Sequence, residues 1–217
     1  MDTYNAEDTK RQRTLLASML LSMWAPVATG VAMFLSGSVT QIADFIRRTV
    51  EFFALFLSWF VFRALARRRD LTDTVREKWE SIVNKVIAAA LGISGITMFL
   101  LGLFRLGTVQ AGGNVTLGLA VALLGLAVNF WFWRRYTKLG KAGPSLIITA
   151  QRQLYLAKVV VDLCVIAALS VVAFWPAHRV SVYIDSAGSL AVGAYLLWSG
   201  FRTWAAPKKD TDTAQPE

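Results

Sequence analysis

The sequence predicts an all-α integral membrane protein, a bundle of six transmembrane helices. Three observations predict it. Hydrophobic residues make up 55% of the 217 positions and charged residues only 17%, with a mean hydropathy of +0.48. A soluble domain of this length rarely reads so apolar. The charges also cluster between long apolar runs instead of being scattered. Six such runs are visible, at 14–35, 40–64, 83–106, 115–135, 146–175 and 182–204. Each reaches the roughly 20 residues needed to cross the hydrocarbon core. Backbone polar groups in lipid must be satisfied within the segment, so each run is expected to be a helix.

The first run follows Lys10, Arg11 and Arg13 and continues through Phe34. That is longer than the apolar core of a signal peptide, roughly 7–15 residues, so the segment reads as a membrane helix that stays attached. Pro26 is expected to kink it by removing a backbone donor. Gly112-Gly113-Asn114 marks a turn between the third and fourth helices. Gly140, Gly143 and Pro144 are expected to break the chain before the fifth helix, and Pro176 to end it. The chain thus divides into a cytoplasmic N-terminal tail (1–13), a transmembrane domain (14–204) and a polar, disordered cytoplasmic tail (205–217).

Orientation follows from the basic residues. The N-terminal tail, the 63–78 and 134–141 connections and the segment from Arg202 hold 16 of the 23 lysines and arginines, whereas the opposite connections hold only Arg105 and Arg179. The positive-inside rule then places both termini in the cytoplasm, with the plasma (inner) membrane as the host. Trp131, Trp133, Tyr136 and Trp204 fall at the inner rim, Trp175 and Tyr183 at the outer one, as interface anchors. The small pairs Ala88/Gly92, Gly118/Ala122 and Ser189/Gly193 suit either a homodimer seam or packing inside one bundle, and the latter is expected.

Several function classes are excluded. The net charge of +9 sits at the ends of apolar spans, which is a topology signal and not a nucleic-acid-binding stripe. A single cysteine, Cys164, rules out an internal disulfide and a thiol-rich metal site. His178 is also alone and reads as a surface loop residue. No paired-carboxylate, phosphate-cradling or nucleophile motif supports an enzyme, and no cofactor is expected.

The informative feature is a repeat. Ser38-x4-Ala43-Asp44-x2-Arg47-x3-Glu51 recurs as Ser145-x4-Ala150-Gln151-x2-Leu154-x3-Lys158, 107 positions later with every offset kept. Ionisable groups inside membrane helices are costly, roughly 2.5–3.5 kcal/mol on insertion scales, and mark functional sites by default. Asp44, Arg47, Arg48 and Glu51 lie on one side of the second helix, and Gln151, Leu154, Lys158 and Asp162 share a face of the fifth. Arg152 points elsewhere. Two pairings compete: a Glu51–Lys158 bridge between helices with Arg47 as second partner, or neutralisation within each helix (Asp44 with Arg47 or Arg48, Arg47 with Glu51, Lys158 with Asp162).

The pattern S-x4-A-D-x2-(H/D)-x3-D, once in helix two and once in helix five, resembles the transmembrane domain of the cation diffusion facilitators, the cation efflux family. The resemblance runs through nearly the whole chain. Tyr183-Ile-Asp185-Ser-Ala-Gly-Ser189-Leu-Ala-Val-Gly-Ala-Tyr195-Leu-Leu-Trp-Ser199-Gly-Phe-Arg202 is similar to the family's sixth helix. Lys78-Trp79-Glu80 stands where the family has G-K-x-E before helix three. The resemblance implies six helices, cytoplasmic ends and exchange of Zn²⁺ or similar ions for protons. It also implies that the four metal-ligand positions are Arg47, Glu51, Leu154 and Lys158. Zinc needs about four lone-pair donors, and arginine, leucine and protonated lysine supply none. Arg47 and Lys158 against Glu51 leave a charge of +1 where the family presents a negative cup. A unit charge pair at 4 Å interacts by roughly 4 kcal/mol at an effective dielectric of 20, so no transition-metal binding is expected.

The functional expectation is a family-like membrane protein with substituted ligand positions, a non-transporting scaffold or accessory subunit of a membrane complex. The alternative is a secondary transporter, cation/proton antiporter-like, with a different, non-transition-metal substrate. The expected partners are the lipid bilayer and either a second copy of the chain or another membrane complex, with no nucleic acid.

Overall fold

The computed structural model describes residues 2–36, 39–68, 72–105, 115–141, 145–174 and 179–205, with side chains described except at 2–8, 32–33, 35–36, 39–44, 73, 105, 115–118, 121, 168–169, 172–174 and 179–185. Six helices follow in order: α1 (Asp2–Ser36), α2 (Val39–Arg67), α3 (Asp73–Arg105), α4 (Val115–Lys141), α5 (Leu146–Phe174) and α6 (Arg179–Trp204). The shortest, of 26 residues, spans about 39 Å at 1.5 Å per residue, more than the roughly 30 Å of a hydrocarbon core. Stretches both long and apolar enough to cross a membrane include Thr9–Val31, Phe45–Arg67 and Thr74–Phe104. Large apolar side chains face outward on every helix. Trp24 is 67% exposed, Phe53 60%, Phe104 73%, Leu124 70%, Leu163 51% and Phe201 73%. In water such a surface would drive aggregation, whereas in lipid it costs nothing. The chain is an all-α membrane bundle.

The helices run beyond the apolar runs of the sequence. α1 begins at Asp2, α3 begins at Asp73 and α4 continues to Lys141. Hydropathy marks where a helix enters lipid, not where its hydrogen bonding stops. Strong helix formers carry it further. Gly140 therefore does not break the chain as expected but sits inside α4, and α1 runs on through Pro26 as one helix. α5 is described as far as Phe174, and Pro176, expected to end it, lies outside the described residues. The Gly112-Gly113-Asn114 turn, Gly143, Pro144, His178, Trp175, the tail beyond Ala205 and the Tyr183 side chain lie outside the described residues.

Four contacts, with the short step from Lys141 to Leu146, place the start of α1 and the end of α6 at one end of the bundle. Arg11 Nη2 donates to the Leu139 carbonyl at 3.4 Å. Arg135 Nε donates to Thr14 Oγ1 at 2.8 Å. Asn84 Nδ2 donates to the Thr203 carbonyl at 2.8 Å. The Leu146 amide donates to Glu80 Oε2 at 3.1 Å. The starts of α1, α3 and α5 thus meet the ends of α4 and α6, an up-and-down arrangement.

α3 and α6 share the most extensive contact of any pair of helices, because glycines remove the side chains between them. A Cβ on Gly193 would lie 2.7 Å from the Phe99 amide, and one on Gly200 2.9 Å from the Ala88 carbonyl. The small residues at Ala88/Gly92 and Gly193 thus serve packing inside one protomer. Tyr136 departs from the sequence expectation. It is completely buried, so it is a core residue and not a rim anchor. Helical rotation turns 132 and 136 inward, with Trp131 52% exposed beside them and Trp204 56% exposed at the same end.

Candidate functional site

The second half of the first repeat lies on the inward side of α2. Arg47 and Glu51 are one turn apart, so their side chains meet, with Nη1 3.4 Å from Oε1. Glu51 is buried, and its other oxygen, Oε2, lies 3.2 Å from Lys158 Nζ on α5. Ser94 Oγ, from the buried face of α3, donates to Glu51 Oε1 at 3.2 Å. One carboxylate therefore ties three helices together. Lys158 Nζ also lies 5.2 Å from the centre of the Tyr155 ring, close enough for a cation–π attraction.

Asp162, one turn along α5 from Lys158, does not draw that lysine back. Its Oδ2 accepts from Asn129 Nδ2 of α4 at 2.7 Å. Gly125 leaves room for it, since a Cβ there would already be 3.6 Å from Oδ2. Of the competing pairings, the structure thus contains the interhelical Glu51–Lys158 contact and the within-helix Arg47–Glu51 contact together. The Asp44 side chain lies outside the described residues. Leu154 is fully buried and offers no donor to the cluster. Gln151 is likewise fully buried, and its amide makes no hydrogen bond among the described residues. Arg152 is exposed.

Because α2 and α5 barely touch, a cleft of about 730 Å³ opens among α1, α2, α4 and α5. Arg47, Arg48, Glu51, Asn129, Lys158 and Asp162 supply its polar lining, and Leu21, Trp24 and Leu124 belong to its apolar walls. Phe132 and Tyr155 floor it towards the end where α1 begins and α6 ends, with Tyr136 packed behind them. Tyr155 stacks on Tyr136 at 5.4 Å and meets Phe132 in a tilted contact at 5.1 Å between ring centres. Ser18 and Tyr136 share a hydrogen bond of 2.7 Å, and Ser22 and Tyr155 one of 3.4 Å. All three rings are at most 2% exposed, so the floor is closed by packed side chains.

Ser94, Asn129 and the tyrosine floor were not singled out in the sequence. Asn129 carried a signal, being a polar amide deep in an apolar run. Its partner could not be read without the fold.

The sequence profile of the cation efflux transmembrane domain matches residues 15–205. The chain belongs to the cation efflux family. No individual curated protein matches it. This family consists of transporters, not enzymes, and the match covers all six helices of the bundle. In this cation efflux protein the described residues hold no group of three or more His, Cys, Asp or Glu side chains gathered around one point. Both oxygens of Glu51 are engaged by cations or by Ser94. What the arrangement can do chemically is hold helices in register and neutralise buried charge. A carboxylate with guanidinium, ammonium and hydroxyl donors has most of its hydrogen-bonding capacity filled.

Proposed function

We propose that this cation efflux protein is a non-transporting member that serves as a membrane scaffold or accessory subunit of a membrane complex. The observation that carries this reading is the Glu51–Lys158 contact at 3.2 Å. On the family resemblance, Arg47, Glu51, Leu154 and Lys158 occupy the four positions that would otherwise ligate the transported ion. A fixed ammonium then stands where a dication would sit, and one of the four side chains keeps a carboxylate. The same positive side chains that fill the cleft repel a second cation, while the pairs lock α2, α3 and α5 into one arrangement. A transporter needs at least two.

The test has two arms. Purified protein in liposomes is given Zn²⁺, Mn²⁺ or Fe²⁺ across a pH gradient, and tagged protein is purified from its own membrane. The reading expects flux equal to that of empty liposomes and one membrane partner recovered in a fixed ratio. Metal flux that disappears with Glu51→Gln overturns it.

A second reading is favoured by the cleft itself. Its volume of about 730 Å³, with the carboxylates of Glu51 and Asp162 beside Arg47, Arg48 and Lys158 in its lining, suits a secondary transporter in which the carboxylates serve a proton or a monovalent cation, or the basic groups an anion. The same liposomes decide it, with those substrates varied and Glu51→Gln as the blocking variant. In either reading we place both termini on the cytoplasmic side of the plasma membrane, on the strength of the lysine and arginine asymmetry.

A further inference from the structure

The end of the bundle that carries the termini is ringed by cations stacked on aromatic rings. Arg63 lies 5.2 Å from the Trp59 ring centre, Arg202 5.4 Å from Trp198, and Lys85 5.7 Å from Trp204 across the α3–α6 junction. α4 carries the densest set. Arg134 lies 5.7 Å from the Phe130 ring and Arg135 5.2 Å from Trp131. Phe130, Arg134, Lys138 and Lys141 are spaced by four, four and three, so they form one stripe along the helix. The ring is 41% exposed and all three cations are exposed. The stripe rises about 16 Å at 1.5 Å per residue, from lipid-facing aromatic to polar helix end.

Two further observations separate this stripe from an ordinary solvated face. α4 contains no Asp or Glu anywhere in its 27 residues, and among the described residues none of Arg134, Lys138 and Lys141 forms an ion pair. Arg135 is different. It is committed to Thr14 and holds α4 to α1.

We propose that the C-terminal stripe of α4 binds the headgroup phosphates of anionic phospholipids in the leaflet at this end, with Phe130 seated at the acyl boundary. Each lysine or arginine near an anionic lipid surface favours binding by roughly fivefold. The stacked ring keeps Arg134 at the headgroup level, where a guanidinium grips phosphate in bidentate fashion. This site is independent of what the central cleft does.

The experiment uses the full chain purified in mild detergent with equimolar phosphatidylglycerol and phosphatidylcholine, and measures the phospholipid that stays bound. The unaltered protein is expected to enrich phosphatidylglycerol about fivefold or more. R134Q/K138Q/K141Q is expected to retain the two lipids almost equally while melting at an unchanged temperature in phosphatidylcholine alone. K10Q/R13Q/R67Q, which removes as many exposed positive charges at the same end, is expected to keep the enrichment. An unchanged lipid ratio in the α4 variant overturns the proposal and points to an acidic protein segment on the stripe. An equal loss in the control variant also overturns it, since bulk charge would then suffice. Should the α4 variant not fold, the unaltered protein decides alone. Its phosphatidylglycerol must be lost at 1 M salt, where the screening length falls to about 3 Å, and retention there counts against the proposal.

Discussion

Lys158 Nζ reaches 3.2 Å from Glu51 Oε2, joining α5 to α2 at the level where Ser94 of α3 also donates to the same carboxylate. Both charged side chains are mostly buried, at 14% and 12% exposure. Loss of one partner of a buried pair costs about 3–5 kcal/mol, because the other charge is stranded. Glu51→Gln takes the carboxylate from Lys158 and removes one of the contacts of Arg47, so it is expected to reach that range. Lys158→Met leaves Glu51 with Arg47 and Ser94 and is expected to cost less. The double variant is expected to be more stable than the sum of the two losses predicts. Thermal unfolding in detergent of the four proteins measures the coupling, and strict additivity would refute a direct bridge.

Zinc is expected to leave the melting temperature unchanged, since a ligand stabilises only the state it binds. Arg47→Asp, Leu154→Asp and Lys158→Asp combined would surround Glu51 with oxygen donors and are expected to create a saturable zinc-dependent rise. A saturable rise in the unaltered protein would contradict the substituted-site reading.

The α3–α6 seam makes an opposite pair of predictions for one substitution type. Gly193→Ala places a methyl 2.7 Å from the Phe99 amide and 2.9 Å from the Gly95 carbonyl. Backbone cannot swing away, so overpacking of about 1–3 kcal/mol is expected. Gly188→Ala, with nothing within 4 Å of its added carbon, is expected to stabilise by roughly 0.5–1 kcal/mol through helix propensity. Melting temperatures that move the same way in both would contradict the seam.

Glu80 caps a helix other than its own. Its carboxylate accepts the Leu146 amide at the start of α5, while the hydroxyl of Ser145, the residue next to that end, makes no hydrogen bond among the described residues. Glu80→Ala is expected to cost about 0.5–2 kcal/mol, the range for a lost N-cap, whereas Glu80→Gln keeps an acceptor oxygen and is expected to cost less. Hydrogen exchange at the first amides of α5 should quicken in the alanine variant. Exchange that is unchanged there would remove the capping role.

Much was legible in the chain alone. Six runs of apolar residues sufficed for six helices, because lipid leaves the backbone no other way to satisfy its hydrogen bonds. The repeat of Arg47 and Glu51 as Leu154 and Lys158 marked which charges were out of place, since insertion cost makes such residues rare. The family resemblance read in the sequence is the family the profile match shows. Only the tertiary structure decided the partners. Lys158 could satisfy its charge on Asp162 of its own helix or on Glu51 across the bundle, and spacing along one helix permits both. Helix rotation aimed Glu51 and Lys158 at each other across the cleft and left Asp162 to Asn129. The same holds for Ser94, the buried Tyr136 and Glu80. Each partner lies dozens of residues away, and its distance depends on how cylinders pack, which periodicity within a single segment does not record.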